Sequence, residues 1–104
     1  MHLLLVASSD APSTLDAIRG LASAAARRGH RVTVFFQMSG VKLLGASWAD
    51  RFASLASLGV RLLACRTSAK ELGVEDRLVG EAEMSSLGEL VDLLDRCDRA
   101  LFLG

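Results

Sequence analysis

Apolar residues in this chain fall into short continuous runs separated by stretches in which they recur every three or four positions. That alternation predicts strands interleaved with helices. His2 to Ala7 reads as a first strand, and the polar turn Ser8-Ser-Asp-Ala-Pro-Ser13 leads into a helix. Ser13 with Asp16 three residues on predicts a capping box, after which Leu15, Ile18, Leu21, Ala22 and Ala25 recur at helical spacing until Gly29,. Arg31 to Gln37, with its β-branched and aromatic run, predicts a second strand,.

Met38 to Ser47 is less regular, with Gly40 and Gly45 around the apolar patch Val41 to Leu44, and reads as a loop with at most one helical turn. Trp48, Phe52, Leu55 and Ala56 then follow the spacing of a helix laid on a sheet, with Trp48 and Phe52 as core residues, ending at Gly59,. Val60 to Ala64 predicts the third strand, and Arg66 to Leu72 a helix closed by Gly73. A short fourth strand is expected between Leu78 and Met84. Ser86 and Glu89 frame a second capping box, followed by Leu87, Leu90, Val91 and Leu94 as one apolar face, and Arg99 to Leu103 is the closing strand,.

Strands separated by helices require long, right-handed crossovers between parallel neighbours. The predicted fold is a single α/β domain over residues 1–104, three-layered, with a five-stranded, mostly parallel sheet of the flavodoxin or Rossmann kind,. In such sheets reactive groups gather beyond the carboxyl ends of the strands. A flavodoxin-like strand order would set the turns after the first and third strands on either side of one crevice.

Composition narrows the function. The chain is 51% hydrophobic, and its 12 basic and 12 acidic residues cancel, so nothing points to direct nucleic-acid binding or an anionic membrane surface,. The apolar run Leu3 to Ala7 is too short for a signal-peptide core or a membrane span and no basic region precedes it, so a cytoplasmic location is expected,. No metal-ligand cluster, CxxC pair or GxGxxG loop is present, and no cofactor is called for,. The hydroxyl-rich turn Ser8, Ser9, Asp10 keeps a small-anion module in play as an alternative.

Cys65 is the candidate for chemistry, because it stands where the third strand turns into a helix. A thiolate is the nucleophilic form of cysteine, and the N–H groups of a helix start, with Arg66 beside them, favour an anion. An inert packing thiol is the competing reading. Cys97 precedes the last strand and so belongs to the opposite edge. A strand of about five residues at about 3.3 Å each separates the two edges by roughly 15 Å, too far for a disulfide, so Cys97 is expected to be a packing thiol. His2 and His30 also fall at that far edge, where neither could act as a base for Cys65.

Taken together, Val34-Phe-Phe36 with Ser39-Gly-Val41, Gly59-Val-Arg-Leu-Leu-Ala-Cys65 with Gly73-Val74, and Met84 to Val91 with Asp98 to Phe102 resemble the DsrE/DsrF-like family, which includes TusD-like sulfur-relay subunits. The resemblance spans nearly the whole chain. It implies a sulfur carrier or sulfurtransferase in which Cys65 accepts sulfur as a persulfide from a donor protein and passes it to an acceptor protein, with no cofactor and no metal. It also implies a homotrimer or hexamer, with Cys65 near a subunit boundary and the Val41 to Leu44 patch available for burial there. The docking surface for substrate would comprise Ser8, Ser9, Asp10, Gln37, Ser39, Gly40, Val41, Arg66 and Thr67. Some relatives carry a second cysteine three residues after the first, where this chain has Ser68, and an acidic residue where it has Ser39. The alternative is a non-catalytic subunit, structural or ligand-binding, of the same kind of oligomer.

Overall fold

A computed structural model describes residues 1–45 and 50–104. The sheet contains β1 (His2–Ala7), β2 (Arg31–Phe36), β3 (Arg61–Cys65), β4 (Ala82–Ser85) and β5 (Arg99–Leu103), all parallel, in the order β4-β3-β2-β1-β5. Between them lie α1 (Pro12–Arg27), a 3₁₀ segment (Met38–Leu44), α2 (Asp50–Ser57), α3 (Arg66–Glu71) and α4 (Leu87–Arg96). The predicted α/β fold with a five-stranded parallel sheet is therefore present. Trp48, expected in the core, lies outside the described residues.

The order differs from the flavodoxin arrangement. Successive crossovers carry the chain one way from β1 to β4, and only the last returns it, past three strands, to the far side of β1. A right-handed crossover that reverses its direction along the sheet must run over the opposite face. Side chains alternate accordingly: Leu3, Leu5, Val34, Phe36 and Leu62 pack with α1, α2 and the 3₁₀ segment, whereas Leu4, Val6, Phe35, Leu63 and Cys65 pack with Leu90 and Leu93 of α4,. One helix thus serves a whole sheet face. The turns after β1 and β3 are separated by β2 and do not flank a common crevice.

Several local expectations are corrected. Ser13 and Asp16 form no capping box: α1 starts at Pro12, whose ring fixes the backbone angle of the first helical turn, and Ser9 instead accepts a hydrogen bond from the Ala11 amide at 3.0 Å,. On α4, Ser86 does cap, its Oγ accepting from the Glu89 amide at 3.1 Å. Yet α4 buries Leu90 and Leu93, leaving Leu87, Val91 and Leu94 exposed. Two apolar sets compete along that helix, and the sheet takes the i, i+3 pair. The Val41 to Leu44 patch is not on the surface either: Val41, Leu43 and Leu44 fold back onto their own sheet.

Gly40 is where the 3₁₀ segment touches the sheet. A Cβ built there would lie 2.2 Å from the carbonyl oxygen of Ala7, inside any acceptable contact with rigid backbone. Gly40→Ala should therefore lower stability by more than about 2 kcal/mol through overpacking, whereas Gly20→Ala, in open space within α1, should raise it by about 0.5–1 kcal/mol,. Urea denaturation of the two variants checks both signs.

At the other edge, the His2 imidazole Nε2 lies 2.9 Å from the Thr33 hydroxyl. Burial, then the charges of Arg31 and Arg96, hold its pKa below the usual histidine value, against a smaller upward pull from Asp98. The unfolded chain therefore binds this proton more readily, so stability is full above the unfolded value of 6.5 and falls as pH drops through the interval down to the folded value,. His2→Gln should flatten that part of the stability profile, measured by denaturation between about pH 7 and 5.

Candidate functional site

β3 delivers Cys65 to the carboxyl edge of the sheet, and Cys65 is also the N-cap residue of α3. The expected strand-to-helix corner is there. Solvent access is not: Cys65 is 2% exposed, and its side chain belongs to the cluster under Leu90 and Leu93. The reason is the strand's alternation. Cys65 follows Leu63 by two residues and so points to the face that α4 covers, and reaching the end of a strand does not by itself expose a side chain. Cys97, half-buried at the end of α4, is likewise a free thiol, with its Sγ 3.6 Å from the Leu94 carbonyl oxygen.

Beside Cys65 a cleft of about 380 Å³ is lined by Arg66, Thr67, Met84, Ser85, Ser86 and Glu89. It lies between the beginnings of α3 and α4, because Cys65 pairs in register with Ser85, one residue before the α4 cap. Arg66 and Thr67 are exposed and stand where the sequence puts them. Ser85, Ser86 and Glu89 are lining residues that the sequence alone does not mark as a site, although the Ser86 to Glu89 capping box locates that helix start. The Glu89 carboxylate is engaged by the Ser85 hydroxyl and lies 3.5 Å from Arg61.

The remaining expected residues form a second group, across β2 from the cleft. The Gln37 side-chain amide donates to the Ser8 hydroxyl at 3.0 Å, and the Ser8 amide donates to the Leu103 carbonyl at 3.1 Å, tying the turn after β1 to both neighbouring strands. Ser9 is occupied with the Ala11 amide, and Asp10 is exposed. Gly40 and Val41 are buried, so this loop offers solvent chiefly Met38 and the half-buried Ser39.

A hydrogen bond from Met38 to Ser68 joins the two groups. Met38 has a φ of 52°, a left-handed conformation unusual for a residue with a side chain, and its amide donates to the Ser68 hydroxyl at 2.8 Å,. The residue standing where some relatives have a second cysteine is therefore a brace between α3 and the 3₁₀ segment.

The profile of the DsrE/DsrF-like family matches residues 1–103. The chain belongs to the DsrE/DsrF-like family. No curated protein matches it. Among solved structures, the ychN protein from E. coli superposes with a TM-score of 0.78 at 17% identity, covering 99% of this chain and 100% of that one. A conserved protein of unknown function from Bacteroides thetaiotaomicron superposes with a TM-score of 0.84 at 16% identity, covering 98% and 94%. At these identities the likeness is one of fold. Within this DsrE/DsrF-like fold, no cluster of potential metal ligands exists among the described residues, and none of the described helices is long and apolar enough to cross a membrane.

Ser68→Ala removes the acceptor of the partly buried Met38 amide. The expected cost is about 1 kcal/mol, together with faster hydrogen exchange at Met38, read by urea denaturation and by NMR,.

Proposed function

We propose that this DsrE/DsrF-like subunit carries sulfur on Cys65 between a donor and an acceptor protein. The observation that carries the reading is the position of Cys65 at the carboxyl edge of the sheet, capping α3 beside the cleft that Arg66, Thr67, Ser85 and Ser86 line. In the forward step the Cys65 sulfur attacks the outer sulfur of a donor persulfide. The donor's S–S bond breaks, the donor leaves as a thiolate, and Cys65 becomes a persulfide. An acceptor cysteine repeats the exchange and restores the thiol. No external oxidant or reductant is needed.

Reaction requires the two sulfurs to approach within about 3–3.5 Å, which a thiol at 2% exposure does not permit in the closed fold,. The transfer therefore includes a local opening between the starts of α3 and α4, where the cleft already reaches the register partner of Cys65. Partner docking is the natural trigger. Exposed Leu87, Val91 and Leu94 on α4, with Phe102 on the same sheet face, supply apolar surface suited to a homotrimer or hexamer, and a cytoplasmic location fits a thiol that must stay reduced,. A second reading is favoured by the burial itself: a structural subunit in which Cys65 is a packing thiol.

Incubation of the native protein with a protein persulfide donor, followed by intact-mass spectrometry, separates the two. The relay reading expects a gain of one sulfur atom that is absent in Cys65→Ser and retained in Cys97→Ser. A protein that gains no sulfur, and whose Cys65 is alkylated only after denaturation, is a structural subunit.

A further inference from the structure

The edge opposite Cys65, where the strands begin, holds a cavity of about 550 Å³. It follows from the topology. α4 seals its face over Leu4, Val6, Phe35 and Leu63 with only Leu90 and Leu93, so the starts of β2 and β3 remain uncovered. Four basic side chains reach the cavity from four elements: His2 opens β1, Arg31 opens β2, Arg61 opens β3 and Arg96 ends α4. Thr33 and Leu93 supply buried wall on the α4 side, and Val60 and Leu62, whose side chains pack on the other face, bound the cavity along the strand starts.

The charges in this cavity are unequally answered. Arg61 is held by Glu83 at 3.1 Å and Glu89 at 3.5 Å, and that hydrogen bonding raises its pKa. Arg31 and Arg96 have no carboxylate within ion-pair distance among the described residues, and Arg96 makes a hydrogen bond from Nε to the Asp92 carbonyl in its own helix. Both line the cavity together with His2, and their charges help hold that imidazole's pKa below its usual value. The acids facing the same space are Glu81 on the lining, Glu83, and Asp98, whose carboxylate accepts the His2 amide at 2.6 Å. Two guanidinium groups outside ion-pair distance of those acids, an imidazole and an apolar wall within one concavity are the elements of an oxyanion site,.

We propose that this cavity is a binding site for a small phosphate monoester, its phosphoryl group gripped by Arg31 and Arg96 beside His2 and its organic part resting against Thr33 and Leu93. A tetrahedral phosphoryl group offers three outer oxygens to two guanidinium forks, where a carboxylate offers two, which is why the phosphate class is assigned. The site is independent of Cys65, so its failure would leave the sulfur-carrier reading intact.

The test is an NMR titration of the intact protein with phenyl phosphate, inorganic phosphate and benzoate at constant ionic strength, following the His2 imidazole signals. The site predicts a saturable shift with phenyl phosphate and a higher His2 pKa in its presence, because a bound dianion adds the opposite charge that the imidazole lacks. Affinity should fall about tenfold or more in Arg31→Ala and in Arg96→Ala, and stay unchanged in Arg77→Ala, which lies outside the cavity,. Arg31 and Arg96 are exposed, so both variants should keep the fold, as circular dichroism will verify. A shift that never saturates, or equal affinity in all three variants, overturns the site. Benzoate binding as tightly as phenyl phosphate overturns the phosphate assignment.

Discussion

Right-handed crossover geometry is the constraint from which the rest of this molecule follows. Three connections that travel the same way along the sheet leave the other face to a single returning helix, α4. That helix must cover the face with whatever apolar residues point inward, and it has two, Leu90 and Leu93. The consequence is uneven cover: the face is sealed from its middle to Cys65 at the carboxyl edge, and the strand starts are left open.

This uneven cover explains why the two edges differ chemically. At the carboxyl edge the polar groups satisfy one another, Gln37 with Ser8, Met38 with Ser68, and Ser85 with Glu89. The thiol lies beneath that layer. At the opposite edge arginines gather because each strand begins at the margin of the sheet, where a long cationic side chain can keep its head in water while its stem lies along apolar surface. The ion pairs of Arg61 are exposed and contribute little to stability, about 1 kcal/mol at most, so their role there is chiefly to fix which guanidinium groups are left without a carboxylate among the described residues,.

Much of this is legible in the amino-acid sequence. Strand and helix positions follow from hydrophobic period, and Gly29, Gly59 and Gly73 mark helix ends because each adopts a positive φ. The Ser86 cap and the strand-to-helix corner at Cys65 were legible for the same local reasons. What escaped were the facts decided at a distance. Strand order depends on the direction of each crossover, which no residue encodes locally. The inward set of α4 was chosen by the sheet, and Val41 to Leu44 found cover from elements that are remote in sequence. For Cys65 the position was visible but not the exposure, since burial depends on a helix that begins more than twenty residues later.

The returning connection also sets the entropic cost of closing the sheet. The contact between His2 and Asp98 closes 96 residues of chain, against 31 for the contact between His2 and Thr33. By closure entropy alone the longer loop costs about 1 kcal/mol more. The seam joining β5 and α4 to the rest is thus the costliest to close in chain entropy, and the helix over the sulfur belongs to the part of the sheet whose contacts span the most sequence,.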